Sequence, residues 1–290
     1  MQLCSDVEVE PLPGTAKPGA TYVLFEWPGP WPRDVMGDAA LGEELTARLK
    51  PLLAEHDATL LLIRHPTREG RDIADHHLYL VFADQAVTEV MHVDGPEALL
   101  DLDLSGPGNN GARERDRPLL LICTHAKRDR CCAMKGRPLV NELNERHPFG
   151  PGNDIVWETS HIKGHRFAPT MLLMPWAYSF GRMNVEATDA MLTDASEGLY
   201  FVPGNRGRGT LGPAEQVAEL AVAAEVPGAR YGQFEVAASD DGSALVTDTA
   251  SGQVYEVQLE QRPVSGVVDS CGKPPKESTA WVAASVTPRG

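Results

Sequence analysis

The order in which apolar runs recur along this chain limits its possible folds more than any other feature. Residues 1–112 open with a Pro/Gly-rich entry, then give a strand near Tyr22–Phe25, a helix near Leu41–Leu53 and a strand over Leu60–Ile63. A hairpin over Leu78–Phe82 and Val87–His92 and a short helix at Pro96–Leu100 follow. After a Gly/Asn-rich loop over Asp101–Pro118 the order begins again. Leu119–Cys123 is an apolar strand, Cys132–Arg146 a helix, Asp154–Trp157 and Thr170–Met174 strands, and Ala187–Thr193 and Ala214–Ala224 helices. No residue-level repeat joins the two halves; only the element order is shared. Strand and helix alternating in this way specify an α/β fold. Residues 229–290 change character, with short alternating runs broken by turns at Asp240–Gly242 and Ser251–Gly252, the pattern of a small antiparallel β appendage. The expected organisation is an N-terminal α/β unit at 1–112, a second α/β unit at 113–228 and the appendage at 229–290.

At 290 residues the chain buries a core without covalent staples. Its five cysteines (Cys4, Cys123, Cys131, Cys132, Cys271) are odd in number and crowded, which does not suit a secreted disulfide framework. The first residues carry neither a cationic stretch nor an apolar run, and no later run is long enough to span a bilayer. A cytoplasmic protein without membrane association is expected. The net charge of -15 is uneven: residues 1–112 hold 7 basic and 19 acidic side chains, 113–228 hold 14 and 14, and 229–290 hold 5 and 8. An acidic chain lacks the basic stripe that nucleic acid requires.

The chemistry gathers in the charge-balanced middle segment. The strand Leu119–Ile122 ends at Cys123, and eight residues, Thr-His-Ala-Lys-Arg-Asp-Arg-Cys, lead to Cys132. That loop brings Cys132 to the start of a helix, where the dipole and Lys127, Arg128 and Arg130 favour thiolate, the form that binds metals. Twenty-eight residues separate Cys132 from His161, and His161 and His165 stand four apart, a spacing that lets two imidazoles converge on one ion. Ile162 occupies the place of the general-base glutamate in a His-Glu-x-x-His box, so a metalloprotease is excluded. Two thiolates and two imidazoles suit zinc or an iron–sulfur cluster. Zinc fingers space their cysteines two to four residues apart, whereas an eight-residue loop can wrap a dinuclear cluster. His125, in Cys123-Thr-His125, is a reserve ligand with a loop or supporting role as its alternative.

Cys-x8-Cys, His-x3-His-Arg-Phe-Ala-Pro, Arg-Asp-x-Cys-Cys-Ala, Val-Trp-Glu-Thr-Ser-His and Gly181-Arg-Met183 together resemble the sucrase/ferredoxin-like family of thioredoxin-fold proteins. The resemblance is dense from Leu119 to about Glu219, weaker before it, and extends to Ser270-Cys271-Gly272. It implies a thioredoxin-like ferredoxin domain at 113–228, a related N-terminal unit, and a [2Fe–2S] cluster on Cys123, Cys132, His161 and His165. The implied role is that of an electron carrier rather than a substrate-transforming enzyme, with another redox protein, an acidic one, as donor or acceptor. Histidine ligands imply a potential above the roughly -400 mV of plant-type ferredoxins and proton-coupled reduction. The family loop usually reads His-x-Gly-Gly-His, and Lys163 stands here at the first glycine, which a positive φ would strain by about 1 kcal/mol. No pair of carboxylates is marked as a glycosidase acid and nucleophile, so the "sucrase" half of the family name finds no support.

Two rival functions remain: a metal-free thiol oxidoreductase using Cys131 and Cys132, weakened by the lack of Cys-x-x-Cys, and a binding protein with a structural zinc. Lys127, Arg128, Arg130, Lys135, Arg137 and Arg166 crowd the proposed ligands, either to dock an acidic partner or as a solvated helix start. Gly204-Asn-Arg-Gly-Arg-Gly209 looks like a phosphate nest but lacks the strand-to-helix context, and is read as a flexible turn.

Overall fold

The computed structural model describes residues 3–150, 153–239 and 242–289. It divides into two compact units, the first built from Gly19–Lys163 with Met171–Ala177 and the second from the remaining described residues.

In the first unit, strands β1 (Thr21–Glu26) and β2 (Ala58–Arg64) are runs of β-branched, aromatic and leucine side chains, the residues that fill a pleated, doubly covered sheet. Helix α1 (Glu43–Glu55) links them, with Glu43 and Glu44 at the positive end of its dipole and Leu45, Leu49 and Leu53 buried along one stripe. β3 (His76–Phe82) and β4 (Val87–Val93) form the expected hairpin, and a two-residue strand β5 (Arg113–Glu114) pairs with β4. The order then recurs with β6 (Leu119–Cys123), α2 (Arg137–Arg146), β7 (Val156–Thr159) and β8 (Thr170–Met174).

The strand order β8-β6-β7-β2-β1-β3-β4-β5 makes one mixed sheet. β1 lies parallel to β2 and antiparallel to β3; β6 lies parallel to β7 and antiparallel to β8. The two β-α-β pairs meet at an antiparallel junction, Ile63↔Thr159 and Arg64↔Glu158. The repeated element order of the sequence thus becomes a repeated pairing order about the β2–β7 junction. Segments 1–112 and 113–228 both contribute strands to this sheet. One face buries Leu24, Leu61, Ile63, Tyr79, Leu121, Trp157 and Cys123, the other packs Val23, Phe25, Leu62 and Leu80 against α1.

The helix expected from Cys132 to Arg146 is built differently at its start. Cys132–Gly136 is a π-helical turn, and regular α-helix begins at Arg137. Pro138 has no N–H for the carbonyl four residues back, so the α-helical ladder cannot run through this point and the chain takes the wider turn.

The second unit holds β9 (Tyr178–Gly181), α3 (Val185–Ser196), β10 (Asn205–Arg208), α4 (Pro213–Glu225) and the strands β11 (Phe234–Ala238), β12 (Ser243–Asp248), β13 (Val254–Val267) and β14 (Lys276–Arg289). β11 to β14 form the expected antiparallel sheet in sequence order, and α4 packs Val217, Ala218 and Val222 on its Phe234, Val246 and Val257. The Ser251–Gly252 turn is present, held by Ser251 Oγ and the Ala250 N–H donating to Asp248; the Asp240–Gly242 turn falls partly outside the described residues. The stretch read as a flexible turn at Gly204–Gly209 is instead β10, paired with β9. Its arginines are internal. Arg206 is buried with Thr15 and Arg208 reaches Glu219 at 3.0 Å, so neither serves a phosphate nest. No helix among the described residues is long and apolar enough to cross a membrane.

Candidate metal centre

β6 carries its apolar side chains alternately to the two faces of the sheet, which leaves Cys123 at its end on the same buried face as Leu119 and Leu121. Its register partner Thr159 ends β7 beside it, and the Thr124 N–H donates to the Thr159 carbonyl at 3.3 Å. The chain then turns back toward the sheet's end through the segment that holds Cys132. Asp129 shapes that turn: its carboxylate accepts from the Cys131 N–H at 2.9 Å and its carbonyl from the Cys132 N–H at 3.3 Å, the bonding of a helix cap. Gly136 closes it. A Cβ there would collide with the Cys123 carbonyl oxygen, so only glycine lets the π-turn lie on the strand end.

The third donor comes from the loop after β7. Ser160 fixes the loop's departure, with its N–H donating to the Leu62 carbonyl at 2.8 Å and its hydroxyl accepting from the Leu62 N–H at 3.1 Å. His161 follows, half-buried. Ligand atoms of Cys123, Cys132 and His161 all lie within 4.8 Å of one another, and both cysteines are buried. Lys163 has φ +67°, so the position where the family carries glycine is indeed left-handed.

The electrostatics set the two thiols apart, and the thiolate expected at Cys132 falls instead to Cys123. Burial by itself raises the Cys123 pKa, but hydrogen bonds with Cys132 and His161, the imidazole's charge and the His125 backbone N–H outweigh it and hold the thiol well below its ordinary range. Cys132 is held well above, by its hydrogen bond to Cys123, by burial and by the neighbouring Cys123, Asp129 and Cys131 charges. One proton is therefore shared between two thiols that both lose it on binding a metal. The Thr159 hydroxyl and His125 Nδ1 are buried with no hydrogen-bond partner among the described residues. Polar atoms left in this state beside a soft donor group fit a site shaped around a further ligand.

Of the four residues singled out in the sequence, Cys123, Cys132 and His161 come together in the first unit. His165 belongs to the second unit, where its Nε2 lies 2.8 Å from Ser270 Oγ. His125 is buried against Trp31 with Nε2 2.6 Å from the Pro32 carbonyl, and burial lowers its pKa. Its Nε2 is committed to the Pro32 carbonyl, and the ring is not among the donors that lie within 4.8 Å of one another. Cys131 is fully buried, as is Cys132, so neither thiol is open to a dithiol substrate. Two of the flanking cations have internal duties: Arg137 pairs with Glu69 at 2.8 Å and Arg166 with Glu10 at 2.5 Å. Lys127 remains exposed, and so does Met134 on the π-turn itself.

Asp129, Thr159 and Ser160 stood in the sequence only inside the Arg-Asp-x-Cys-Cys-Ala and Val-Trp-Glu-Thr-Ser-His motifs, with no role of their own, and Gly136 did not stand out at all. Gly136 and Ser160 act through partners distant in sequence, such as Leu62.

No curated protein and no solved structure matches the chain. A family model described as Sucrase/ferredoxin-like matches residues 12–207, which span β1 to β10 and include Cys123, Cys132, His161 and His165. The chain therefore belongs to the sucrase/ferredoxin-like family.

Proposed function

We propose that this protein binds a [2Fe–2S] cluster through Cys123, Cys132, His161 and His165 and works as a one-electron carrier. The observation that carries the reading is the group of buried Cys123 and Cys132 with half-buried His161, whose donor atoms lie within 4.8 Å of one another. His165 enters as the fourth ligand on sequence spacing and family resemblance, four residues along the loop from His161. When bound, such a cluster supplies reversible uptake of a single electron. The chain's residues do the rest. Cys123 and Cys132 give up their shared proton and act as thiolates, Gly136 and Asp129 hold Cys132 against the strand end, and Ser160 fixes the turn that presents His161. As a ligand, half-buried His161 would keep a second ring nitrogen able to carry a proton. Lys127 and Met134 are both exposed in the segment around Cys132, and the lysine offers an acidic redox partner a cationic contact.

Anaerobic titration with dithionite tests this reading. The visible absorption should bleach with about one electron per chain and return on reoxidation. The midpoint potential should fall with rising pH by up to about 59 mV per unit, the slope for one proton per electron. A colourless protein that takes up no electron would refute the proposal, and a pH-independent potential would remove the proton-coupled part.

A further inference from the structure

The second unit holds a pair of thiols that the metal centre does not use. Cys4 opens a single 3₁₀ turn, Cys4–Asp6, and Cys271 lies in the connection between β13 and β14, 267 positions along the chain. Folding brings their sulfurs to 3.7 Å, and the Cys4 N–H donates to Cys271 Sγ at 3.4 Å. Both are thiols in the structure. Closing the gap to the about 2.05 Å of a disulfide moves each sulfur by less than about 1 Å, within reach of side-chain rotation and a small loop shift.

The connection that carries Cys271 is held on both sides of it. Asp269 pairs with Lys276 at 2.6 Å, Ser270 Oγ lies 2.8 Å from His165 Nε2, and the Lys273 N–H donates to the Ser270 carbonyl at 3.0 Å. Gly272 completes the bend at φ +86°, a conformation that other residues rarely adopt. The turn around Cys4 is closed as well: the Leu3 N–H donates to the Asp6 carboxylate and the Asp6 N–H to the Leu3 carbonyl, both at 3.1 Å. The two thiols differ in access. Cys4 is 2% exposed and Cys271 half-buried, so a reagent from solvent meets Cys271 first. The N–H that Cys271 Sγ receives favours its thiolate, which is the nucleophilic form.

We propose that Cys4 and Cys271 form a reversible disulfide by exchange with a low-molecular-weight disulfide. The Cys271 thiolate attacks one sulfur of the reagent, which forms a mixed disulfide and expels one thiolate. Cys4 gives up its proton and attacks the Cys271 sulfur, which expels the second. Two protein thiols are oxidised, one small disulfide is reduced to two thiols, and the protons lost by the cysteines go to the expelled thiolates. The link ties the Cys4–Asp6 turn to the β13–β14 connection. Neither thiol is among the proposed cluster ligands, so the proposal stands apart from the metal centre.

Incubation of the full chain with oxidised glutathione, followed by thiol titration and peptide mass mapping, tests it. The wild type should lose two thiols and give one linked pair of peptides, Cys4 with Cys271, and dithiothreitol should restore both thiols. C4S should stop at the mixed disulfide and carry one glutathione on Cys271. C271S should leave Cys4 unmodified, because that thiol is buried. Should C4S fold poorly, C4A carries the same expectation. C131S should still form the link. Absence of the link in the wild type, a link from either thiol to another cysteine, or glutathione on Cys4 in C271S with none on Cys271 in C4S would overturn the assignment.

Discussion

Gly136 shows how much of the metal centre depends on a single atom's absence. Its φ is an ordinary -76°, so backbone freedom is not the reason for glycine; the Cys123 carbonyl oxygen simply occupies the space a Cβ would need. Gly136→Ala should cost about 1–3 kcal/mol in urea denaturation, the usual range for overpacking, and should lower metal content by moving Cys132 away from Cys123. Lys163 is a different case, since its φ of +67° carries a strain of about 1 kcal/mol that a glycine would not. The ligand assignment itself is tested by serine substitution: Cys123→Ser and Cys132→Ser should abolish bound iron, while Cys131→Ser and Cys271→Ser retain most of it. Iron lost in Cys131→Ser and kept in Cys132→Ser would reverse the choice between the adjacent cysteines. The gathering of the two thiols with His161 was legible in the sequence from the spacing of the three residues. Gly136 and Ser160 were not, because the atoms they answer to, the Cys123 carbonyl and the Leu62 backbone, are neighbours only after folding.

At the scale of elements, strands and helices followed the apolar periodicity closely, and the departures have local causes. Pro138 turns the start of the expected helix into a π-turn, and buried partners for Arg206 and Arg208 turn an apparent Gly/Arg loop into β10. The pairing of β2 with β7 was invisible, since register between strands far apart in the chain leaves no periodic trace. Buried Arg64 and Glu158 meet across it at 2.5 Å, and Arg64 also lies 4.2 Å over the Trp31 ring. In the second unit α4 buries Glu219 against Tyr178 and Tyr200, with hydroxyl contacts of 3.0 and 3.3 Å, and against Arg208. Burial outweighs these partners and pushes its pKa from 4.5 up to about 7. Because the folded state holds this proton more tightly than the unfolded chain, the stabilisation is complete below about 4.5 and is lost as pH rises toward about 7. Carboxyl-carbon NMR of Glu219 should give a midpoint near 7; an ordinary carboxylate midpoint would contradict the burial argument.

For the whole molecule, two β-α-β pairs joined into one sheet give the first unit a rigid frame, with thiol and imidazole donors at the end of β6 and β7. The α/β class and the antiparallel C-terminal strands were legible from the sequence. The compact units were not, because the second gathers the N-terminal residues, the loop from Gly164 to Thr170 and the C-terminal half from separate stretches of chain. The chain belongs to the sucrase/ferredoxin-like family and carries a Cys/His group that could hold a metal, and the proposal is that this metal is iron in a sulfide-bridged pair. Iron and acid-labile sulfide determined on anaerobically purified protein test that claim most directly. About two of each per chain are expected, and stoichiometric zinc without labile sulfide would contradict the cluster.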